Sequence, residues 1–406
     1  MTSSPRLALS TAVRNERTSL TEIFLAAPFI IVTASYVPVL AARLGATPLL
    51  LGAITSGSAL VLALAAALGR WWSTRPLGDI PRLLIPLNIN RLQLAFIPLV
   101  LLLPAYRAEA LVILVLAMSL FGGLGNVTFA MLLPRLTTRD RLSALVSSRW
   151  TVLGVGMAIF TPILAAILDA LPLPWNYVAV CAIAGIFIAA NSVLLGKVTY
   201  GPRTEAVHES SAPRLSAREI LRHGPAATYL LLTFAMHFSL NAASPLITLR
   251  LVRDLNATDS DFGWYTAATW AAIAIVGLIA PRLVRRVGTG RIFGLSGLVF
   301  AFHTLLLAVS ASLPLTWVAG LINGVATVLF QVTAFTLLTE TAPPGNYEGY
   351  VPLQNLVFNL AIFAAPLVMT GLVSAGMTPQ AGLLICVVLR LAAGGVSFFK
   401  LRRVGV

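Results

Sequence analysis

Five apolar stretches each carry a short stripe of side chains able to hydrogen-bond a solute. Asn323, Thr327 and Gln331 recur every four residues, so a helix holds all three on one face. His237 and Asn241 share that spacing, as do Asn355 and Asn359. Thr33 and Tyr36 lie three apart, and Ser119, Gly123 and Asn126 fall on one side of a fifth stretch. Amides and hydroxyls set among Leu, Val and Ala are costly in hydrocarbon, so they turn to a partner or to a watery cavity. The competing reading is that they glue helices together across dry interfaces, at roughly 0.6–2 kcal/mol each. The pattern makes Thr33, Tyr36, Asn126, His237, Asn241, Asn323, Thr327, Gln331, Asn355 and Asn359 the candidates for a substrate cavity.

Three arginines fall inside apolar runs. Arg149, beside Trp150, could face an inner cavity and pair with an anionic substrate; a scaffold or gate bond to a carbonyl, or to Glu340 or Glu348, is favoured over that. Arg91 follows Asn88 and Asn90 and is expected to bond polar neighbours or snorkel. Arg390 is too deep for snorkelling and must meet protein, water or a partner chain. The 14 carboxylates are all expected in loops or near helix ends. A proton relay would have to use His237, His303 or Glu22. That favours neutral, amphipathic or anionic solutes over cations.

The elements that must position these groups are membrane helices. Of 406 residues 58% are hydrophobic and only 10% charged, whereas a soluble domain carries about 25% charged residues. Stretches of about 20 apolar residues can span the hydrocarbon. Twelve are expected: 21–43, 48–69, 83–104, 109–132, 143–168, 174–196, 226–249, 262–281, 291–312, 315–338, 349–374 and 380–399. The first is too long for a signal-peptide core and is read as a retained helix. The net charge of +14 sits in short gaps between the runs rather than on one polar face, which argues against nucleic acid. With the N-terminus inside, only Arg43, Arg107, Arg250 and Arg253 fall in outer loops, so N-in and C-in is expected. Cys181 and Cys386 lie in apolar runs and suggest no disulfide.

The polar stretch 197–225 divides six helices from six, giving an N-terminal bundle 1–196, a cytoplasmic linker 197–225 and a C-terminal bundle 226–406. Ser216 and Glu219 resemble a capping box that could start a short surface helix. Leu44-Gly-Ala-Thr-Pro-Leu-Leu-Leu-Gly52 aligns with Leu255-Asn-Ala-Thr-Asp-Ser-Asp-Phe-Gly263, both joining the first and second helices of a half. A repeat of six helices keeps its orientation, so the two pseudo-symmetric bundles run parallel.

Twelve helices, parallel halves and a central linker resemble the major facilitator superfamily. Gly263 with Pro281-Arg-Leu-Val-Arg-Arg-Val-Gly-Thr-Gly-Arg291 is similar to that family's basic loop between the second and third helices of a half. Gly69 to Arg82 is a degraded N-half copy, with Asp79 out of the usual place. The stretch from Arg141 to Gly154, followed by Leu171-Pro-Leu-Pro-Trp-Asn-Tyr177, resembles a poorly characterised bacterial branch. The family's antiporter signature is not met by Gly154, Gly156 and Pro162. The resemblance implies an all-α major facilitator fold whose first, fourth, seventh and tenth helices line a central cavity. It also makes Arg285, Arg286 and Arg291, with Arg149, the gate or anion-pairing candidates.

The resulting expectation is a secondary transporter or facilitator working by alternating access in a bacterial inner membrane. Its partners would be a small-molecule substrate and the lipid bilayer, not nucleic acid; it would act as a monomer, without cofactor or metal. A non-transporting receptor or assembly factor on the same scaffold is the alternative. A membrane enzyme is the remote one: the acid pair Asp259 and Asp261 could hold a metal, but acids also favour a helix N-terminus.

Overall fold

The computed structural model describes residues 9–73, 75–201, 217–343 and 347–401, and every regular element among them is helical. Twelve helices are long and apolar enough to cross a bilayer. They are α1 (Leu9–Arg43), α2 (Pro48–Ser73), α3 (Asp79–Leu101), α4 (Arg107–Leu132), α5 (Arg139–Ala170), α6 (Trp175–Gly196), α7 (Gly224–Asp254), α8 (Asp259–Val287), α9 (Thr289–Val309), α10 (Leu313–Glu340), α11 (Tyr347–Ser374) and α12 (Pro379–Lys400). A short helix, Ala217–Arg222, precedes α7. Ser216, the proposed cap of that helix, lies outside the described residues.

Two departures from the expected boundaries bear on function. Helix α1 begins at Leu9 rather than at residue 21, because a helix needs hydrocarbon-matched residues only within the membrane and can run on through polar ones. Glu22 therefore lies well inside α1 instead of at its end. Both α1 and α7 also pass into π-helical turns, Ile31–Tyr36 and Arg250–Asp254. Hydropathy carries no signal for such turns, which are frequent at functional sites.

The internal repeat is a turn with a physical cause. Gly45 and Asn256 occupy equivalent places and both have positive φ, +85° and +49°, a conformation that Gly and Asn tolerate best. Two residues later the Thr47 hydroxyl accepts from the Leu50 amide, and the Thr258 hydroxyl from the Asp261 amide. Each turn thus ends one helix with a left-handed residue and caps the next with a threonine. Asp261 completes a capping box by accepting from the Thr258 amide at 3.0 Å and its hydroxyl at 2.8 Å. That side chain serves the start of α8, and no cluster of three or more metal-type ligands occurs among the described residues.

The chain forms two compact units, one of Met1–Ala46 with Gly57–Val207, the other of Thr47–Ser56 with His208–Val406. The second has an aromatic core of Tyr229, Phe293, Phe300, Phe330 and Tyr350. In it α9 packs on α12 through small residues: a side chain at Gly294 would strike the Phe398 backbone, and one at Gly394 the Gly294 carbonyl. Such close backbone approach is the usual basis of helix association in lipid. The first unit is knitted by smaller clusters, Leu83 with Leu132 and Leu195, and Leu136 with Leu145 and Val198. Cys181 and Cys386 are free and buried.

Candidate functional site

In the first unit, α1, α3, α5 and α6 converge on a buried ionic network. Arg149 of α5 donates to the Glu22 carboxylate and to the backbone and hydroxyl oxygens of Ser19. The Glu22 and Arg149 side chains are 5% and 12% exposed. From α6, Asn191 donates to the Glu22 carboxylate at 2.8 Å and to its backbone oxygen at 2.6 Å. Arg91 of α3 closes the chain, donating to the Asn191 oxygen at 2.5 Å, to Asn88 at 3.1 Å and to the Ser192 hydroxyl. Arg149 pairs with Glu22 directly and Arg91 meets it only through Asn191, so the cluster holds two guanidiniums and one carboxylate, one positive charge in excess.

Arg149 thus bonds a carbonyl and a carboxylate, both of α1; Glu340 receives the Thr289 hydroxyl at 3.5 Å, and the Glu348 side chain lies outside the described residues. The carboxylates do not all stay near helix ends, because Glu22 is carried inward by the N-terminal extension of α1. Asn191 was missed altogether, although a lone Asn in an apolar run is a signal of the kind that flagged the others. Arg149 also stacks over the Phe129 ring at 4.6 Å and borders a cavity of about 210 Å³ with Ile23, Val146, Trp150 and Leu153.

Asp79, at the start of α3, links that helix to the segment after α4. It accepts from Arg82 at 3.2 Å and from Arg135 at 2.6 Å, and Arg135 also donates to the Gly201 carbonyl at 2.8 Å. Nearby, burial pushes the Tyr200 phenol above its ordinary pKa, with the charges of Glu22 and Asp79 adding to the rise.

The candidate cavity residues divide into two groups. Tyr36 is fully buried and its hydroxyl donates to the Thr161 carbonyl at 2.8 Å. Thr33, half-buried, donates to its own helix at Phe29. His237 is buried edge-on to the Phe330 and Phe358 rings, with centroids 4.9 and 4.3 Å away, and Asn241 donates to the His237 carbonyl at 2.7 Å. Asn359 likewise donates to the Asn355 carbonyl at 2.8 Å. By contrast, Asn126 of α4 and Gln331 of α10 are exposed, Asn323 and Thr327 are half-buried, and none makes a side-chain hydrogen bond to a described residue. Arg285, Arg286 and Arg291 are exposed and form no ion pair with a described residue.

In the second unit Arg390 meets protein. It is 2% exposed, with no carboxylate of the described residues paired to it. Its donors reach the carbonyls of Phe300 at 2.9 Å and of Ser239 and Leu240 at 3.4 Å, together with the Thr304 hydroxyl. The His303 ring stands 3.5 Å from Arg390 and 3.1 Å from the Tyr265 hydroxyl. Oxygens of α7 and α9 thus hold a cation of α12 among neutral groups.

Twelve apolar helices, a repeated interhelical turn and polar clusters inside the spans define a multi-pass membrane fold. Residues 229–405 match the sequence pattern of the Major Facilitator Superfamily. Among solved structures the chain is similar to a variant of the nucleoside transporter NupG, at a TM-score of 0.73 and 12% identity over 96% of this chain and 99% of that one. It is likewise similar to the D-xylose–proton symporter, at 0.71 and 15% identity over 96% and 98%. A third is a bacterial homologue of the human lysosomal transporter Spinster, at 0.69 and 12% identity over 97% of each chain. No curated protein sequence matches the chain.

Proposed function

We propose that this protein is a secondary transporter that carries a small neutral, amphipathic or anionic solute across the membrane by opening alternately to its two sides. The observation that carries the reading is the set of amides on α4 and α10, Asn126, Asn323 and Gln331, which are at least partly exposed yet bonded to no described residue. An amide moved from water into hydrocarbon with no partner costs about 4–8 kcal/mol. Exposed amides on membrane helices therefore need water or a solute beside them. The solved structures it resembles bear the names of carriers of a nucleoside and of a pentose, which supports a small polar cargo. A cationic cargo is disfavoured because Glu22, the carboxylate buried within a span, is already held by Arg149 and Asn191. The arginine-rich gaps between helices support N-in and C-in, and the composition supports a bacterial inner membrane.

The test is a thermal-shift screen of the purified protein against metabolites and drugs, followed by flux of the hits in proteoliposomes. Asn323→Ala and Gln331→Ala should each lower flux at least tenfold with expression and melting unchanged. Wild-type flux in both variants refutes the assignment. A protein that binds a hit but never moves it is the non-transporting receptor.

A further inference from the structure

A cavity in the first unit lies away from the Asn126 amide of α4. It is a groove of about 620 Å³ between α3 and α6, within the roughly 300–1,000 Å³ usual for small-molecule sites. Asn88, Arg91 and Ser192 form one end, and apolar residues such as Leu94, Pro98 and Ile188 form the rest. Exposed Leu92, Phe96 and Ile186 flank it, so it opens toward lipid.

Two features say what the groove would hold. The first is charge. Arg91 lines the groove and bonds only the neutral oxygens of Asn88, Asn191 and Ser192 among the described residues, while the nearby Glu22 carboxylate is taken by Arg149 and Asn191. A buried charge is stabilised only when paired, and an anion in the groove would supply the missing negative charge at Arg91. The second is depth. At ~1.5 Å per residue, Arg91 lies roughly 18 Å from the Asp79 end of α3 and roughly 15 Å from the Leu101 end, near the middle of a hydrocarbon layer of about 30 Å. A phospholipid in either leaflet keeps its phosphate at the layer's surface, well short of Arg91. The occupant must be able to carry its acid group inward.

The geometry points to a binding site for a hydrophobic carboxylate, a single-chain or compact organic acid dissolved in the bilayer. Its carboxylate would sit on Arg91, Asn88 and Ser192, and its apolar body would lie along α3 and α6. This site goes beyond the transport reading and stands whether or not the amide residues move a solute.

Gly185 permits a clean test, because it lines the groove and a Cβ added there meets nothing within 4 Å. Gly185→Leu fills the groove. The experiment measures binding of radiolabelled laurate to the full chain in phosphatidylcholine nanodiscs, with binding to empty nanodiscs subtracted. One saturable site per chain is expected, displaced at least tenfold better by unlabelled laurate than by dodecanol, and not displaced by phosphatidylglycerol. Gly185→Leu should weaken binding at least tenfold with melting unchanged. Arg91→Gln should remove the preference for the acid over the alcohol. Should Gly185→Leu fail to yield folded protein, Ala189→Leu on the same wall takes its place. The site is refuted by an absence of saturable binding, by equal displacement with dodecanol, by displacement with phosphatidylglycerol, or by full binding in the filled-groove variant.

Discussion

Removing the charge of Glu22 should unsettle the first unit more than any other single charge change there. Glu22→Gln keeps the shape and a hydrogen-bonding oxygen but leaves Arg149 without a carboxylate. Exposed ion pairs contribute about 0–1 kcal/mol because water screens them. At 5% and 12% exposure the Glu22–Arg149 pair lies near the buried limit, where removing one partner costs about 3–5 kcal/mol. That is roughly two to three and a half powers of ten in the folding equilibrium. The stranded cation is the main cause, so deleting it should restore part of the loss. The double variant Glu22→Gln with Arg149→Met should be more stable than Glu22→Gln alone by about 1–3 kcal/mol, the usual size of coupling between contacting residues. Unfolding of all three variants in mixed micelles of increasing SDS content measures this. The reasoning fails if the double variant is no more stable than Glu22→Gln, or if the two single losses simply add.

Arg390→Met should leave stability within about 1 kcal/mol of wild type or raise it, since the carbonyls around it belong to helices and a buried cation is replaced by an apolar chain of similar length; Arg390→Ala should cost about 2–5 kcal/mol by opening a cavity, both read by the same SDS unfolding. Asn256→Gly should be tolerated at its φ of +49°, whereas Asn256→Val should lose about 1–2 kcal/mol because a β-branched residue resists the left-handed turn; melting of the two variants separates them. The Tyr200 hydroxyl is buried and finds no hydrogen-bond partner among the described residues, so Tyr200→Phe should be neutral or up to about 1 kcal/mol stabilising. Because burial holds the Tyr200 phenol above its ordinary pKa, its contribution is intact below about pH 10 and is lost as pH rises toward the folded value. Wild type should then lose stability above pH 10 more steeply than Tyr200→Phe, as followed by melting from pH 8 to 11.

Much of the architecture is legible in the chain itself. Helix number follows from local hydropathy, since each span must satisfy its own backbone and carry its own apolar surface. The repeat is legible for the same local reason: Gly45 and Asn256 meet one φ requirement, and Thr47 and Thr258 meet one capping requirement, within a few residues of each other. Arg91, Arg149 and Arg390 stand out as charges in apolar runs, but their partners do not. Arg149 finds Glu22 across 127 residues of sequence, and Asn191 finds the same carboxylate across 169. Those meetings depend on how far α1 runs before it enters the membrane and on the rotation of each helix about its axis, which spacing along one helix does not specify. Tyr36 shows the same limit, its polar group placed at the expected depth but turned inward to Thr161. Composition and local turns thus determined the span count and the repeat, because those energies arise within one helix or one loop. Only packing decided which charges meet a carboxylate and where the groove beside Arg91 opens, because those energies arise between helices that are far apart in sequence.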